Sequence, residues 1–476
     1  RPFYYTFIGE TIIFASSIKA ITSNPEVNRE FNYSAFQQFS NFWTTYGSTT
    51  FVENISSLCP GEYIEISQNI KRTNIYWDLE FPEEKSDDFS LEEWKEKIYY
   101  ELDQATSLRL RADVPVNSYL SGGIDSSIIL NLVKKHHPKD FESFSVRFSE
   151  KFFDESKFQK LVTENTGINN NYILITPQLI GDYFEQVITH CEQPIFRTAP
   201  VPLYHLSNLV NAKSCKVVLT GEGADEIAWG YDIFKETLIR SQLVKAPESP
   251  EWLSQILKMN VHLPQYNERY KKFLIEFYKK SLNDPDCPFF SHHIRISNGQ
   301  YLLNFLTSSA KEKLMQHDCK EEITSQLPKE YNHWNPLQKA QYLEMKTLLA
   351  GYLLSSQGDR MSMAHSVEGR YPFLDHNVVK TFAQMPDEFK LNDMTEKYIL
   401  KQAFGDYLPN AIIDRPKYPY RAPEGMSMIH PEIEAKYLNA EICERYDIFD
   451  WKYVERLRKK IQTRTTVSNF VDNVTL

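Results

Sequence analysis

Residues 114–137 have the sequence VPVNSYLSGGIDSSIILNLVKKHH, and this stretch decides the fold. Its first seven residues have the pattern of a buried strand, and residues 126–137 have the pattern of a helix. A turn with two adjacent glycines joins them. Such a turn lets the backbone approach an anion closely, and the first amides of the helix can donate to it. The stretch therefore predicts a phosphate-binding strand–loop–helix unit.

The turn itself supplies candidate ligands for a polyphosphate. Ser121 and Ser126 offer hydroxyl donors. Gly122 and Gly123 keep the backbone amides accessible, and Asp125 is a candidate for holding a Mg²⁺ ion that bridges phosphates. A tight strand-to-helix turn capped by Asp or Ser is the structural alternative. No G-x-x-x-x-G-K-[ST] loop occurs in the sequence, so the motif is not of the Walker type.

Strands and helices alternate on both sides of this unit. A capping box at Ser90 and Glu93 opens the preceding helix. The other predicted elements are strands at residues 141–148, 172–175 and 216–220, and helices at residues 154–165 and from 178 onward. This alternation predicts an α/β fold with a parallel, doubly wound sheet. Beyond about residue 235 the pattern is mostly helical.

The sequence LTGEGADE, residues 219–226, follows another predicted strand. Ligands of parallel sheets bind beyond the carboxyl ends of the strands, so we expect Gly221 and Glu222 to share one crevice with the glycine turn. Carboxylates at 222, 225 and 226 would repel one another unless a cation joined them, and Mg²⁺ at Asp225 would do so. The alternative is a solvated acidic loop.

Two later segments combine charges with prolines: DRMSMAHSVEGRYPFLD at residues 359–375 and RPKYPYRAP at residues 415–423. On physical grounds alone the first is a segment whose methionines belong to the core, with Asp359/Arg360 or Glu368/Arg370 as a structural ion pair, and the second is a lone surface loop. A crevice that holds polyphosphate would, however, need a cation such as Lys417 nearby.

Composition limits the possible classes of protein. The 476 residues are 42% hydrophobic and 24% charged, which is ordinary for a globular chain of two or three domains. The net charge of −10 and the lack of an apolar run of about 18 residues argue against binding to nucleic acid or a membrane. Six scattered cysteines without a Cys-x-x-Cys pair favour a reducing cytoplasm.

Domain boundaries follow from shifts in pattern. Residues 1–80 form a β-rich region with strands expected at 3–8, 11–15, 62–67 and 74–77. Residues 81–90 are acidic and polar, as in a linker. Residues 91–476 are the second domain, with the α/β core at about 91–235 and a helical remainder.

In this order, the blocks SGGIDSS, FSVRFSEKFFDES, VVLTGEGADE, DRMSMAHSVEGRYPFLD, KYILKQAF and RPKYPY resemble those of the glutamine-dependent asparagine synthetase family, the amide-forming branch of the ATP-pyrophosphatase superfamily. The resemblance spans nearly all of residues 90–425. Upstream, FASSIKAI and LCPGEYIEI resemble the last part of the family's glutaminase (class II amidotransferase) domain.

The resemblance implies that ATP activates a carboxylate, the aspartate β-carboxylate in the namesake enzyme, as an acyl-adenylate with release of pyrophosphate. Ammonia from glutamine then displaces AMP. The implied roles are pyrophosphate binding by Ser121, Gly122, Gly123, Asp125 and Ser126, Mg²⁺ binding by Asp125 and Asp225, adenosine contact by Val146 and Gly221, general base catalysis by Glu222, and charge neutralisation by Lys417. ATP and Mg²⁺ are the implied cofactors, and a homodimer is possible.

Several questions stay open at the level of sequence. After the second motif the family usually has Gly-Gly-Tyr, whereas this chain has Ala228-Trp229-Gly230-Tyr231, and Ser17 stands where a glutamate is common. The acceptor could instead be a sugar acid or a secondary metabolite, or the chain could be a non-catalytic nucleotide binder. The family's glutaminase nucleophile is an N-terminal cysteine, whereas the first cysteine here is Cys59. We therefore expect the nucleophile and the glutamine pocket to be absent from this sequence.

Overall fold

A computed structural model describes residues 1–67, 70–83, 89–136, 141–260, 268–279, 282, 284–417 and 420–462. The predicted linker at 81–90 lies partly outside these ranges, and so does residue 137, the last of a predicted helix.

The centre of the molecule is a five-stranded sheet in which all neighbouring strands are parallel. In spatial order the strands are Glu368–Arg370, Val217–Leu219, Val116–Tyr119, Glu142–Phe148 and Asn169–Ile175. Numbered along the chain, this order is 5-4-1-2-3. The winding therefore reverses between the first and the fourth strand, which is the topological switch point of a doubly wound sheet. The predicted fold class is confirmed.

Successive residues of a strand point to opposite sides of the sheet. Both faces therefore carry apolar side chains, and helices cover both of them. Val218 packs in one apolar cluster with helix Pro200–Ala212, and Leu219 packs in another with helix Ile124–His136. The other helices that connect the strands or precede them are Leu91–Arg109, Ser156–Thr166, Pro177–Cys191 and Ala224–Ile227. The capping box predicted at Ser90 is present.

The N-terminal region has two antiparallel arrangements of strands, as its β-rich pattern predicted. Its strands are Tyr4–Ile8, Thr11–Ala15, Ser56–Ser57, Glu62–Ser67 and Ile70–Ile75. It also contains helices Ile18–Thr22 and Tyr33–Phe42, which the sequence analysis did not predict. The second of these, YSAFQQFSNF, is rich in aromatic, Ser and Asn residues, which are modest helix formers. Burial of seven of its ten residues stabilises it instead.

Beyond the fourth sheet strand the described chain is mainly helical, as predicted. Its helices are Asp232–Lys245, Pro250–Asn260, Glu268–Lys279, His293–Gly299, Ser308–Leu314, Cys319–Thr324, Pro336–Glu344, the π-helix Met345–Asp359, Arg360–Met363, His376–Gln384, Asp387–Lys390, Tyr398–Phe404, Asn410–Ile413, Gly425–Met428, Pro431–Tyr437, Ala440–Tyr446 and Trp451–Gln462. The described helices include none long and apolar enough to cross a membrane. All six cysteines are free thiols.

One carboxylate joins the N-terminal region to the α/β part. The Glu192 side chain accepts hydrogen bonds from the Ser17 hydroxyl at 2.6 Å and from the Lys19 amide at 2.8 Å. It also pairs with Arg360 at 2.8 Å, so Arg360 forms its ion pair with Glu192. Glu192 is distant from Ser17 in sequence, and it places a carboxylate beside the start of the helix that follows Ser17.

Candidate active site

Two loops meet at the carboxyl edge of the sheet, at its switch point. The strands that precede them are direct neighbours, with Ser118 opposite Leu219. The loops then come so close that a Cβ atom on Gly221 would lie 2.8 Å from the backbone nitrogen of Ser126. Only glycine allows this approach. The sequence-predicted crevice between the glycine turn and the LTGEGADE loop is therefore present.

The glycine turn is fixed by its own hydroxyl groups. The Ser121 amide donates to the Ser126 hydroxyl oxygen at 3.2 Å, and the Ser127 hydroxyl donates to the carbonyl of Gly123 at 2.7 Å. Gly122 has a φ of +84°, in the left-handed region that favours glycine. Hydrogen bonds within the turn thus fix its conformation, and the start of helix Ile124–His136 lies at the crevice.

The second loop is buried. Asp225 is 8% exposed and Glu226 is 0% exposed. The alternative of a solvated acidic loop is therefore wrong. Burial raises the pKa of Glu226 well above its usual range, and the carboxylates of Asp225 and Glu222 raise it further. Burial thus favours the neutral form of Glu226, which reduces the repulsion that the sequence suggested.

Two lysines neutralise the carboxylates of Asp125 and Asp225. Lys397 Nζ lies 2.6 Å from both carboxylate oxygens of Asp125 and 2.6 Å from Oδ1 of Asp225. Lys417 Nζ lies 2.5 Å from Oδ2 of Asp225 and 3.9 Å from Asp125. Asp125 and Asp225, which are distant in sequence, therefore share one cationic centre.

Lys397 is a residue of the candidate site that the sequence analysis missed. It is the first residue of the quoted block KYILKQAF, to which no site role was given. Its side chain is 1% exposed, and its backbone has a φ of +54°, which is uncommon for lysine. Gly230 makes room for it, since a Cβ atom there would lie 2.3 Å from Lys397 Cε.

The acid–base properties of the cluster follow from burial and from these pairs. Burial raises the pKa of Asp125, although the lysines oppose this. Burial also disfavours the charged form of Asp225, but Lys397 and Lys417 outweigh it and hold its pKa below the usual value. Burial would lower the pKa of Lys417, yet Asp225 and Asp125 raise it overall. Lys417 is therefore a permanent cation at neutral pH.

Glu222 differs from these carboxylates because its proton is available near neutrality. Burial raises its pKa to about 7, with Lys417 opposing the shift and Asp225 and Asp125 adding to it. Glu222 lines the same cavity as Asp125 and Lys417. A carboxylate with this pKa can exchange a proton with a bound molecule at physiological pH.

The loop that carries Lys417 is docked on the site. The backbone amide of Lys417 donates to Glu396 at 3.0 Å, and Glu396 also pairs with Lys235 at 2.7 Å. Arg415 forms an ion pair with Glu155, and its guanidinium lies 4.0 Å from the ring centroid of Phe158. The alternative of a lone surface loop is therefore wrong, although residues 418–419 lie outside the described ranges.

A cavity of about 380 Å³ lies at these loops. Eight of the ten sequence-predicted site residues line it, namely Ser121, Asp125, Ser126, Val146, Gly221, Glu222, Asp225 and Lys417. Gly122 and Gly123 shape the turn without being among the lining residues. Val146 is followed along its strand by Phe148, which also lines the cavity and adds to its apolar side.

The segment 359–375 has a structural role. Glu368 and Arg370 form the predicted ion pair at 2.8 Å, and Met361 is fully buried. Residues Glu368–Arg370 also form the edge strand next to Val217–Leu219, which the sequence analysis did not predict. Of the two alternative ion pairs the one between Glu368 and Arg370 is present, and of the two methionines only Met361 belongs to the core, since Met363 is 50% exposed.

The donor set fits Mg²⁺ bound together with phosphates. Mg²⁺ is usually held by one or two carboxylates, with phosphate oxygens and water completing its shell. Asp125 and Asp225 are two such carboxylates, and they already share a cationic neighbour. Among the described residues no group of three or more His, Cys, Asp or Glu side chains could hold a metal alone.

The strand order, the switch-point crevice and a phosphate-type turn without a Walker lysine define a doubly wound α/β fold with a candidate anion site at its switch point. More narrowly, the chain belongs to the asparagine synthase family, whose model matches residues 97–471. Residues 1–77 match the model of the glutamine amidotransferase domain.

Curated relatives carry two kinds of name. The chain is 29% identical to asparagine synthetase [glutamine-hydrolyzing] 1 of Bacillus subtilis over 89% of its own length and 64% of that protein. It is 27% identical to amidase chyE of Penicillium rubens, over 98% of this chain and 72% of that protein. It is 26% identical to amidase chry2 of Gibberella zeae, over 95% and 70% respectively. The chain thus spans about two thirds of the length of these relatives.

Proposed function

We propose that this chain carries the synthetase activity of an ATP-dependent, AMP-forming amide ligase. The observation that supports this most directly is the shared cluster of Asp125, Asp225, Lys397 and Lys417 beside Glu222, at the switch point of the sheet. The cluster combines a site for a Mg²⁺-bound polyphosphate, fixed cations and a carboxylate with a pKa of about 7. Membership of the asparagine synthase family supports the use of ATP.

In this proposal the glycine turn holds the pyrophosphate part of ATP through Ser121, Gly122 and Gly123, with Ser126 behind it. Val146 and Gly221 contact the adenosine. Asp125 and Asp225 would hold Mg²⁺, which would neutralise charge on the phosphates when it is bound.

The chemistry then depends on two side chains. The acceptor carboxylate attacks the α-phosphorus, and pyrophosphate leaves. Lys417 stabilises negative charge that builds up at the α-phosphate and at the tetrahedral carbon. Glu222 accepts a proton from the ammonia as the carbon–nitrogen bond forms, and AMP departs.

Aspartate is the acceptor that we propose first, with asparagine as the product and glutamine as the source of ammonia. Residues 1–80 would be the end of a glutaminase domain, 81–90 a linker and 91–476 the synthetase domain of a cytoplasmic enzyme. The amidase names of two relatives make a different carboxylic acid the second candidate.

The product test uses the chain with ATP, Mg²⁺, ammonium and a panel of carboxylic acids that includes aspartate. We expect AMP and pyrophosphate in equal amounts, formed only when an accepted acid is present, because the turn suits a leaving pyrophosphate. ADP and phosphate as the products would contradict the proposal. Matched reactions without acid, or with Asp125→Asn, provide the background.

A further inference from the structure

Trp229 is a buried residue beside the candidate site, and its backbone has an uncommon conformation. Its φ is +56°, in the left-handed region, and the residue is 0% exposed. A bulky side chain is seldom found in this region, because the Cβ atom is crowded by the backbone. Glycine would be free of this strain. Contacts of the indole must therefore hold the backbone in place, and backbone outliers of this kind cluster at active sites.

The turn at Trp229 brings the backbone back over the acidic loop. The next residue, Gly230, donates its amide to the carbonyl of Asp225 at 2.8 Å. A Cβ atom on Gly230 would collide with the carboxylate of Asp225 and with Cε of Lys397. The backbone after Trp229 is therefore in direct contact with both partners of the Asp225–Lys397 ion pair, and the conformation of Trp229 determines where that backbone lies.

Three contacts fix the indole of Trp229. Its Nε1 donates to the side-chain oxygen of Gln341 at 2.8 Å. Its ring stacks on that of Phe234, with the centroids 5.7 Å apart and the planes 18° apart. The ammonium group of Lys390 lies over the indole, with Nζ 4.0 Å from the ring centroid. The indole thus joins three helices that follow the acidic loop along the chain, namely Asp232–Lys245, Pro336–Glu344 and Asp387–Lys390.

Lys390 connects the indole to the segment that carries Lys397. Lys390 is 0% exposed, and a cation over an aromatic face is held more strongly when both are desolvated. From Lys390 the chain continues through a short hairpin, residues 391–396, directly to Lys397. In that hairpin, Glu396 accepts a hydrogen bond from the backbone amide of Lys417. The contact with the indole therefore connects the acidic loop to the segment that carries one lysine of the cluster and binds the loop of the other.

We propose that Trp229 is a positioning residue, which through its contact with Lys390 sets the distance between the aspartates and the lysines of the candidate site. The inference rests on the proposed function, because that function places Mg²⁺ and the phosphates of ATP at this cluster. Trp229 does not line the cavity, so it acts through Asp225 and Lys397. Without the indole, the acidic loop and the segment of Lys397 lose their common anchor, and the cluster loses the spacing that suits Mg²⁺ and phosphate.

Calorimetric titration of the full chain with Mg²⁺ and ATP, without acid or ammonium, measures binding at the cluster. We expect Trp229→Gly to raise the Kd about 10–100-fold, the usual effect of losing a residue that orients the ligands of a metal. Glycine suits a positive φ, so this loss would come from the missing indole and not from backbone strain. Trp229→Phe keeps an aromatic ring for Lys390 and should bring the Kd back to within a few fold of the wild type.

Lys390→Met tests the connection through the cation, since methionine keeps an unbranched apolar side chain but carries no charge. We expect it to raise the Kd in the same direction as Trp229→Gly. The double variant should bind no more weakly than Trp229→Gly alone, because both changes remove the same contact. An unchanged Kd in Lys390→Met would overturn the inference, and so would independent effects that multiply in the double variant. If Trp229→Gly yields no folded protein, Lys390→Met decides alone.

Trp94→Ala is the matched structural control. Trp94 is also 0% exposed, Lys97 Nζ lies 5.0 Å from its ring centroid, and it does not line the cavity. The change should lower the melting temperature and leave the Kd unchanged. A rise in Kd equal to that of Trp229→Gly would assign the effect to packing in general and overturn the inference, as would a wild-type Kd in folded Trp229→Gly. Failure of the wild type itself to bind Mg²⁺ and ATP would instead contradict the proposed function.

Discussion

Glu222→Gln is expected to lower amide formation by about 10²–10⁴-fold while acyl-adenylate formation continues, because the glutamine side chain keeps the shape but accepts no proton. Glu222 is the cavity-lining carboxylate whose pKa burial raises to about 7. Two assays separate the steps. Acceptor-dependent exchange of pyrophosphate into ATP reports adenylation, and the rate of amide release reports the attack of ammonia.

The pH dependence tests the same role. A general base works only when it is ionised, so the amide-forming rate should rise through about pH 7 and level off above it, in line with the pKa of Glu222. The free ammonia concentration must be held constant, because ammonium also loses its proton as the pH rises. In Glu222→Gln this inflection should vanish.

Glu226→Gln is the control for Glu222→Gln. Glu226 is its buried neighbour in the same loop, but it does not line the cavity. Burial raises the pKa of Glu226 and so favours its neutral form, and we therefore expect an amide in its place to change the rate by only a few fold. Full amide synthesis by Glu222→Gln would contradict the proposed role of Glu222 as general base. An equal loss of activity in Glu222→Gln and Glu226→Gln would contradict it as well.

Lys417→Met is expected to lower both adenylation and amide formation by about 10²–10³-fold, the usual effect of removing one donor to a transition state. The reason is that Lys417 carries its charge at neutral pH and pairs with Asp225 in the cavity. The measurement is the rate of pyrophosphate exchange at saturating ATP, followed by the rate of amide release.

Lys401→Met is its control. Lys401 pairs at 3.2 Å with Glu396, which also accepts a hydrogen bond from the backbone of Lys417. Lys401 itself does not line the cavity. It should change the exchange rate by no more than a few fold. If Lys417→Met left exchange intact and impaired only amide release, Lys417 would have no part in adenylation.

Much of the fold could be predicted because its signals are local. The strand and helix around the glycine turn depend on apolar periodicity over a few residues, and the structure has them at Val116–Tyr119 and Ile124–His136. The strand Glu368–Arg370 could not be found in this way. It has three residues, two of them charged, and it is a strand because its backbone pairs with Val217–Leu219. Such pairing joins positions about 150 residues apart, which no local pattern reports.

The candidate site likewise has residues that a local sequence pattern predicts and residues that only the folded structure brings together. Asp125 and Asp225 stand at the ends of predicted strands, so the rule for parallel sheets places them together. Lys397 stands at the start of a short helix far along the chain, and a lone lysine there is no more conspicuous than many surface lysines. Its role becomes visible only in three dimensions, where its Nζ lies 2.6 Å from both aspartates.

The central claim is that the acceptor carboxylate is activated as an acyl-adenylate, and transfer of ¹⁸O tests it most directly. The acceptor is labelled with ¹⁸O in its carboxylate and incubated with the chain, ATP, Mg²⁺ and ammonium. If a carboxylate oxygen attacks the α-phosphorus, that oxygen leaves with AMP when ammonia displaces it. We expect mass spectrometry to find one ¹⁸O atom in the phosphate of each AMP formed. AMP without the label, or label in inorganic phosphate together with ADP, would contradict the account.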